Sequence, residues 1–332
     1  MADLELTLSM LSPHDRVMPL FTGEVKPEGI TLRCIDSANV DLFYDVLKFD
    51  RYDVSEMSVS SFLAARAKGW GYVALPVFQH RAFHYTKVLV RVASGIRKPE
   101  DLKGKRVGSA DYQQTAALWT RGILQHEFGV KPQDMVWYQE RAERFSHGGA
   151  SGFKPPAGVR FHYATTDFGT MFLRGELDAA ITYQTGAKID RPKIDLSRDR
   201  RFRPLFRDPV KEAVRFYKKH QIVPVHHLTV VRESIVKEHP WVATSLMDAF
   251  ERAKKLAMER LYADPPTLML FGGHWLDQQK AVFGDDPYRY GLKANAKEID
   301  LAQTYSAEQG LTPRKQPWEE LFAEEVLVAE EK

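Results

Sequence analysis

Lys105–Leu124, KRVGSADYQQTAALWTRGIL, decides how this chain is read. Its pattern predicts a short strand over Arg106–Ala110, a polar turn over Asp111–Thr115 and a helix running toward Gly129. A helix that begins at the carboxyl end of a strand offers unpaired N–H groups and a positive dipole end to an anion. Trp119 and Arg121 follow at once, an aromatic surface and a planar cation. The same letters also describe an ordinary strand–loop–helix corner with a core tryptophan and a solvated arginine.

Working outward, strand and helix signals alternate on both sides. Upstream, strands are expected at Leu4–Met10, Gly29–Ile35, Tyr52–Met57, Gly71–Phe78 and Tyr85–Val92. Helices are expected at Val40–Lys48 and, opened by Ser58, Ser60 and Ser61, through Ala67. Downstream, Asp134–Tyr138, Arg160–Tyr163, Leu177–Tyr183 and His227–Arg232 read as strands, and Asp167–Arg174, Lys211–His220 and Pro240–Tyr262 as helices. Glu140–Gly158 reads as a long loop and Arg191–Pro209 as irregular and basic. Such alternation predicts an α/β protein with a mixed or parallel sheet and helices on its faces. The late return strand assigns residues 1–105 and 225–332 to one discontinuous lobe and 106–224 to a second. A ligand cleft would lie between the lobes, closed by hinge motion near 92–106 and 224–228.

A length of 332 residues suits two lobes of ordinary size. Forty-seven basic against 44 acidic residues leave a formal +3, and no long basic run appears, so the charge argues for local anion sites and against a nucleic-acid partner. One cysteine, Cys34, excludes a disulfide framework, and its place in the apparent strand ITLRCI suggests an inert thiol. The opening MADLELTLSM is acidic where an export signal is basic, and no stretch reaches the ~18 apolar residues of a membrane span. The expectation is a cytoplasmic protein with no membrane association; oligomeric state is left open.

Chemistry-bearing residues gather just after the predicted strands: Arg16, Glu56, Ser58, Ser60, Arg81, His84, Tyr112, Gln113, Thr115 and His227. Arginine suits carboxylates because its fork donates two parallel hydrogen bonds. Arg16, Arg81 and Arg121 at one cleft would fit a ligand with two carboxylates, and removing Arg121 is expected to weaken binding by ~2 kcal/mol or more. Glu56 lies in an otherwise apolar strand, either as a structural partner or as a general acid with a raised pKa. His226 and His227 should face opposite sides of their strand, so only His227 is assigned to the site. His14 beside Asp15, and His80 with His84, could supply metal ligands, but neither spacing is a recognised motif. No metal and no organic cofactor is assigned, and a divalent ion is left open.

Longer motifs carry a resemblance. Asp15-Arg16 with Pro19-Leu20, Tyr52–Ser58 and Tyr112-Gln113-x-Thr115-Ala116-Ala117-x-Trp119-x-Arg121-Gly122-Ile123-Leu124 are joined by His239–Ala243, Phe283–Leu292 and Glu308–Pro313. By these the chain resembles the 4,5-dihydroxyphthalate decarboxylase family, almost end to end. The resemblance implies a two-lobed fold similar to type II periplasmic solute-binding proteins. It also implies cofactor-independent loss of one carboxylate from a small hydroxylated aromatic dicarboxylate, in aromatic-acid breakdown. Glu56 or His227 would then deliver a proton, and the arginines with the Tyr112–Thr115 turn would hold the carboxylates. Three places depart from the family pattern: His14 before the Asp-Arg pair, His84-Tyr85, and Gln139–Arg141. They put the exact substrate in question. A solute-binding component of an ABC-type transporter and another enzyme on the same scaffold stay as alternatives.

Overall fold

The computed structural model describes residues 3–37, 41–183, 194–266 and 268–331. Val40, where the first helix was expected to begin, and 191–193 of the basic segment lie outside them.

Two sheets organise the molecule. The first has five strands in the order β2-β1-β3-β11-β4, namely Leu4–Met10 (β1), Ile30–Asp36 (β2), Val54–Ser58 (β3), Tyr72–Arg81 (β4) and the late strand Val225–Arg232 (β11). β1 runs parallel to β2 and β3, whereas β11 inserts antiparallel between β3 and β4. The second sheet has six strands in the order β10-β5-β9-β6-β7-β8: Leu89–Arg91 (β5), Arg106–Ser109 (β6), Val136–Gln139 (β7), Arg160–Tyr163 (β8), Ala179–Ile181 (β9) and Phe202–Pro204 (β10). Pro76 is tolerated within β4 because β4 is an edge strand, where a missing N–H breaks no ladder.

The expected strand Tyr85–Val92 proves shorter. His84–Lys87 forms a 3-10 turn, and only Leu89–Arg91 is extended, paired with β9 and β10 of the second sheet. The chain therefore crosses to the second sheet between Arg81 and Leu89, well before the boundary expected at 105. Buried Val90, opposite Ala179, is the apolar contact that holds it there.

The opening motif folds as read. After β6, the Thr115–Phe128 helix packs beneath both sheets, with Leu118, Trp119 and Ile123 buried. The Trp119 indole donates to the Val225 carbonyl of β11 at 2.7 Å, tying this helix to the first sheet. Gly122 is dictated by packing: a Cβ there would lie 2.1 Å from the Tyr305 ring of the Ala296–Glu308 helix. One apolar cluster draws on both sheets, and a smaller one forms around Phe168 and Phe172. No helix among the described residues is long and apolar enough to cross a membrane.

Candidate active site

A cleft of about 450 Å³ opens where the carboxyl end of β3, the amino-terminal half of β11 and the start of the Thr115–Phe128 helix meet. That size is in the range of small-molecule pockets. In β11, His227 pairs with Ser58 on one side and His80 on the other, so three polar side chains stand abreast at the cleft floor. Glu56 lies behind them, buried in a strand whose other residues are all buried too.

Glu56 and His227 form a pair. His227 Nδ1–H donates to Glu56 Oε1 at 2.6 Å, and the Leu11 N–H donates to Oε2 at 2.9 Å. Burial opposes ionisation of this carboxyl, but the hydrogen bond and charge of His227 and the Leu11 N–H outweigh it, and its pKa lies below the ordinary value. A general acid with a raised pKa is thus not what stands here. Glu56 is a carboxylate that fixes the tautomer of His227 and leaves Nε2 toward the cleft. The Phe43 ring meets the imidazole edge to face, with centroids 4.8 Å apart.

Histidines dominate the lining: His14, His80, His84, His147, His226 and His227 all reach it. Burial, with the Arg16 charge second, lowers His14 to about 4; burial, with His227 second, lowers His80 to about 4. His84 falls to about 3 through burial and the neighbouring His80, and burial drives His226 well below the ordinary value. Strict strand alternation excluded His226 from the site, yet it joins His227 there. The β11–β4 register shifts twice, between Val225 and His227 and between His227 and Thr229, and this irregularity turns both rings to one side.

The opposite wall carries the helix start. Thr115 Oγ1 shares a 2.8 Å hydrogen bond with Ser58 Oγ and accepts the Ser60 N–H at 3.0 Å, joining two helix N-termini at one point. Asp41 caps the Leu42–Phe49 helix and receives Arg141 at 2.9 Å and His147 at 3.4 Å from the second half of the cleft. Burial opposes ionisation of Asp41, but His147 and Arg141 bring its pKa down to about 2. His147 stands on a short helix, His147–Ser151, inside the segment expected to be all loop. Ser146 caps that helix by accepting the Gly149 N–H, an arrangement the glycines and charges of the segment concealed. Thr182 also lines the cleft, at φ +50°, a backbone region costly for a β-branched residue.

Among the residues expected at the site, Glu56, Ser58, His84, Thr115 and His227 line this cleft; Arg16, Ser60, Arg81, Tyr112, Gln113 and Arg121 do not. Each has a structural reason. Arg81 follows cleft-facing His80 on β4 and so points to the other face, where it bonds Asn295 Oδ1 and the Arg289 and Val223 carbonyls. Arg121 is fully buried beneath its helix, donating to Gln309 Oε1 at 2.7 Å and the Tyr112 carbonyl at 2.9 Å, 3.7 Å above the Tyr112 ring. Tyr112 packs among Trp137, Phe153 and Phe161, and the Gln113 amide oxygen accepts from Ser151. Arg16 donates to the Gln79 carbonyl and lies over the Tyr288 ring, 3.7 Å from its centre. Ser60 contributes its N–H, its hydroxyl being buried. Cys34, half-buried in β2, has its thiol pushed up to about 11 by burial, in keeping with an inert group. His14, His80 and Arg141, noted in the sequence only as weak metal ligands or as departures from the family pattern, line the cleft, and Asp41, Phe43, His147 and Thr182 line it without any sequence signal having singled them out.

A profile described as "ABC transporter, phosphonate, periplasmic substrate-binding protein" matches residues 37–254. A Comamonas testosteroni protein named 4,5-dihydroxyphthalate decarboxylase is 32% identical over 97% of this chain and 97% of its own. A Pseudomonas putida protein of the same name is 33% identical over 64% of this chain and 82% of its own. Among solved structures, the alkanesulfonate-binding protein SsuA from Xanthomonas axonopodis, bound to MOPS, superposes with a TM-score of 0.54 at 13% identity, covering 95% of this chain and 96% of its own. That likeness establishes the two-lobed binding-protein fold.

Proposed function

Because the chain belongs to the 4,5-dihydroxyphthalate decarboxylase family, we propose that it removes one carboxylate from 4,5-dihydroxyphthalate, or a close hydroxylated aromatic acid, to give protocatechuate or its analogue. It is a carboxy-lyase on a binding-protein scaffold. The observation that carries the mechanism is the Glu56–His227 pair at 2.6 Å, opening on a cleft of ligand size.

The ring supplies its own electron sink, so no organic cofactor is required. Each carboxylate of the substrate has a hydroxyl para to it. Loss of that hydroxyl's proton pushes electron density to the carbon bearing the carboxylate, which takes a proton from the enzyme. The bond to the carboxylate then breaks, CO2 leaves, and the bonding pair restores the aromatic ring as a phenolate, which takes back from solvent the proton its hydroxyl had released there. His227, as an imidazolium, delivers the proton from Nε2; Glu56 stays ionised, stabilising that cation and holding the ring in place. The first N–H groups of the Thr115–Phe128 helix, with Ser58 and Thr115, receive substrate oxygens. Arg141, held at the rim by Asp41, supplies a guanidinium at the mouth.

The fold alone is also that of a sulfonate receptor. Incubation with 4,5-dihydroxyphthalate separates the two: a decarboxylase releases one CO2 per protocatechuate formed, whereas a receptor binds and releases the dicarboxylate unchanged.

A further inference from the structure

Beside the Glu56–His227 pair, three imidazoles converge from separate elements: His80 at the end of β4, His84 in the turn that follows, and His226 in β11. One potential ligand atom from each lies within 4.8 Å of the others. We propose that His80, His84 and His226 hold one divalent transition-metal ion of the Zn2+ class at the floor of the cleft.

Four observations support this site. The Nδ1 atoms of His80 and His84 are buried with no hydrogen-bond partner, and buried polar atoms in native proteins ordinarily have one. His226 donates from Nε2 to the Ala82 carbonyl at 2.9 Å, which fixes its tautomer and leaves the Nδ1 lone pair available. A second hydrogen bond of that kind is how metal-binding histidines are held. His226 is buried and His80 and His84 are partly buried, so bulk water competes little for their lone pairs. Tetrahedral Zn2+ at about 2.0–2.1 Å from each nitrogen sets the nitrogens about 3.4 Å apart, so the rings close inward by at most about 1.4 Å on loading.

Charge gives the site a purpose, on the reading that the substrate is a dicarboxylate. The charges at the cleft are already paired, Arg141 with Asp41 and, in the proposed reaction, the His227 imidazolium with Glu56. An entering dianion would meet no uncommitted positive charge among these lining residues. A divalent ion supplies that charge where the expected arginines do not reach. Three nitrogen ligands select Zn2+, Co2+ or Ni2+ over Mg2+ and Ca2+, which require oxygen. All three histidines line the cleft, so the remaining coordination positions open to it and accept a carboxylate or catechol oxygen.

The test reads metal binding apart from turnover. Protein stripped with chelator is titrated with Zn2+ by calorimetry and with Co2+ by visible absorption. One ion per chain should bind with micromolar or tighter affinity, raise Tm, and give the d–d spectrum of low-coordinate Co2+ with nitrogen ligands. His84→Gln and His226→Gln should each weaken binding at least about 100-fold. His126→Gln, at the exposed pair with Glu308, should leave it unchanged. Circular dichroism checks each fold; if His226→Gln misfolds, His84→Gln alone decides. No stoichiometric ion, or unchanged affinity in His84→Gln, overturns the site. A bound ion without decarboxylation leaves the site standing and removes the decarboxylase reading; turnover in protein that binds no ion does the reverse.

Discussion

In the proposed reaction His227 donates a proton as an imidazolium, and the Glu56 carboxylate 2.6 Å away is the partner of that cation. The two roles separate by mutation. His227→Asn removes the donor and should lower kcat by about 10²–10⁴-fold, the usual contribution of a positioned general acid. Glu56→Gln keeps the shape but loses the charge; kcat should fall by about 10–100-fold while KM moves little, because the residue acts through His227. Equal losses in both, with an intact fold, would assign Glu56 a direct role. His14 tests burial at the same rim. Its folded pKa of about 4 lies below the ordinary 6.5, so between these values the unfolded chain binds more protons. Its stabilising share is full above pH 6.5 and is lost as the pH falls through about 4. Denaturant melts at pH 7.5 and pH 5 should therefore show His14→Gln losing about 2 kcal/mol less than the parent over that interval. Identical losses would show that His14 titrates normally in the fold.

At the scale of the element, the Thr115–Phe128 helix shows what a motif can and cannot say. Its start does reach the cleft, as the strand–turn–helix reading of Lys105–Leu124 required. The most distinctive letters within it, Trp119, Arg121 and Gly122, serve packing: indole to β11, guanidinium to Gln309 and Tyr112, and a bare Cα against Tyr305. Gly→Ala in a helix ordinarily stabilises, yet Gly122→Ala should cost about 1–3 kcal/mol here, because the Tyr305 ring must move. Arg121→Ala, expected from sequence to weaken ligand binding, should instead lower stability by about 3–5 kcal/mol and leave KM unchanged in the folded fraction. Local pattern could reveal the strands and the helix start, since both follow from periodicity. It could not reveal the β11 register shift that brings His226 beside His227, nor that cleft-facing His80 turns Arg81 away, because pairing between distant strands sets both. The short helix bearing His147 was hidden for a related reason: its Gly148 and Gly149 read as loop, and only the Ser146 cap and packing make it helical.

Across the whole molecule, the alternation of strands and helices carried the two-sheet α/β architecture, and the return of β11 to the first sheet was legible as a late strand. The crossing before β5 was not, since a three-residue strand gives too short a signal to assign to either sheet. The two sheets share one large core, are tied within it by Trp119–Val225, and meet at the cleft through Ser58–Thr115 and Asp41–Arg141. A scaffold of this kind becomes an enzyme when its cleft holds a proton donor in place of a purely binding surface, and that is the role proposed here for the Glu56–His227 pair. The most direct test incubates the parent protein and His227→Asn with 4,5-dihydroxyphthalate and follows CO2 and protocatechuate together. The account predicts equimolar CO2 and protocatechuate from the parent and a rate at least about 100-fold lower from the variant, with binding of the dicarboxylate retained. Undiminished turnover in His227→Asn, or tight binding by the parent with no CO2 released, would contradict it.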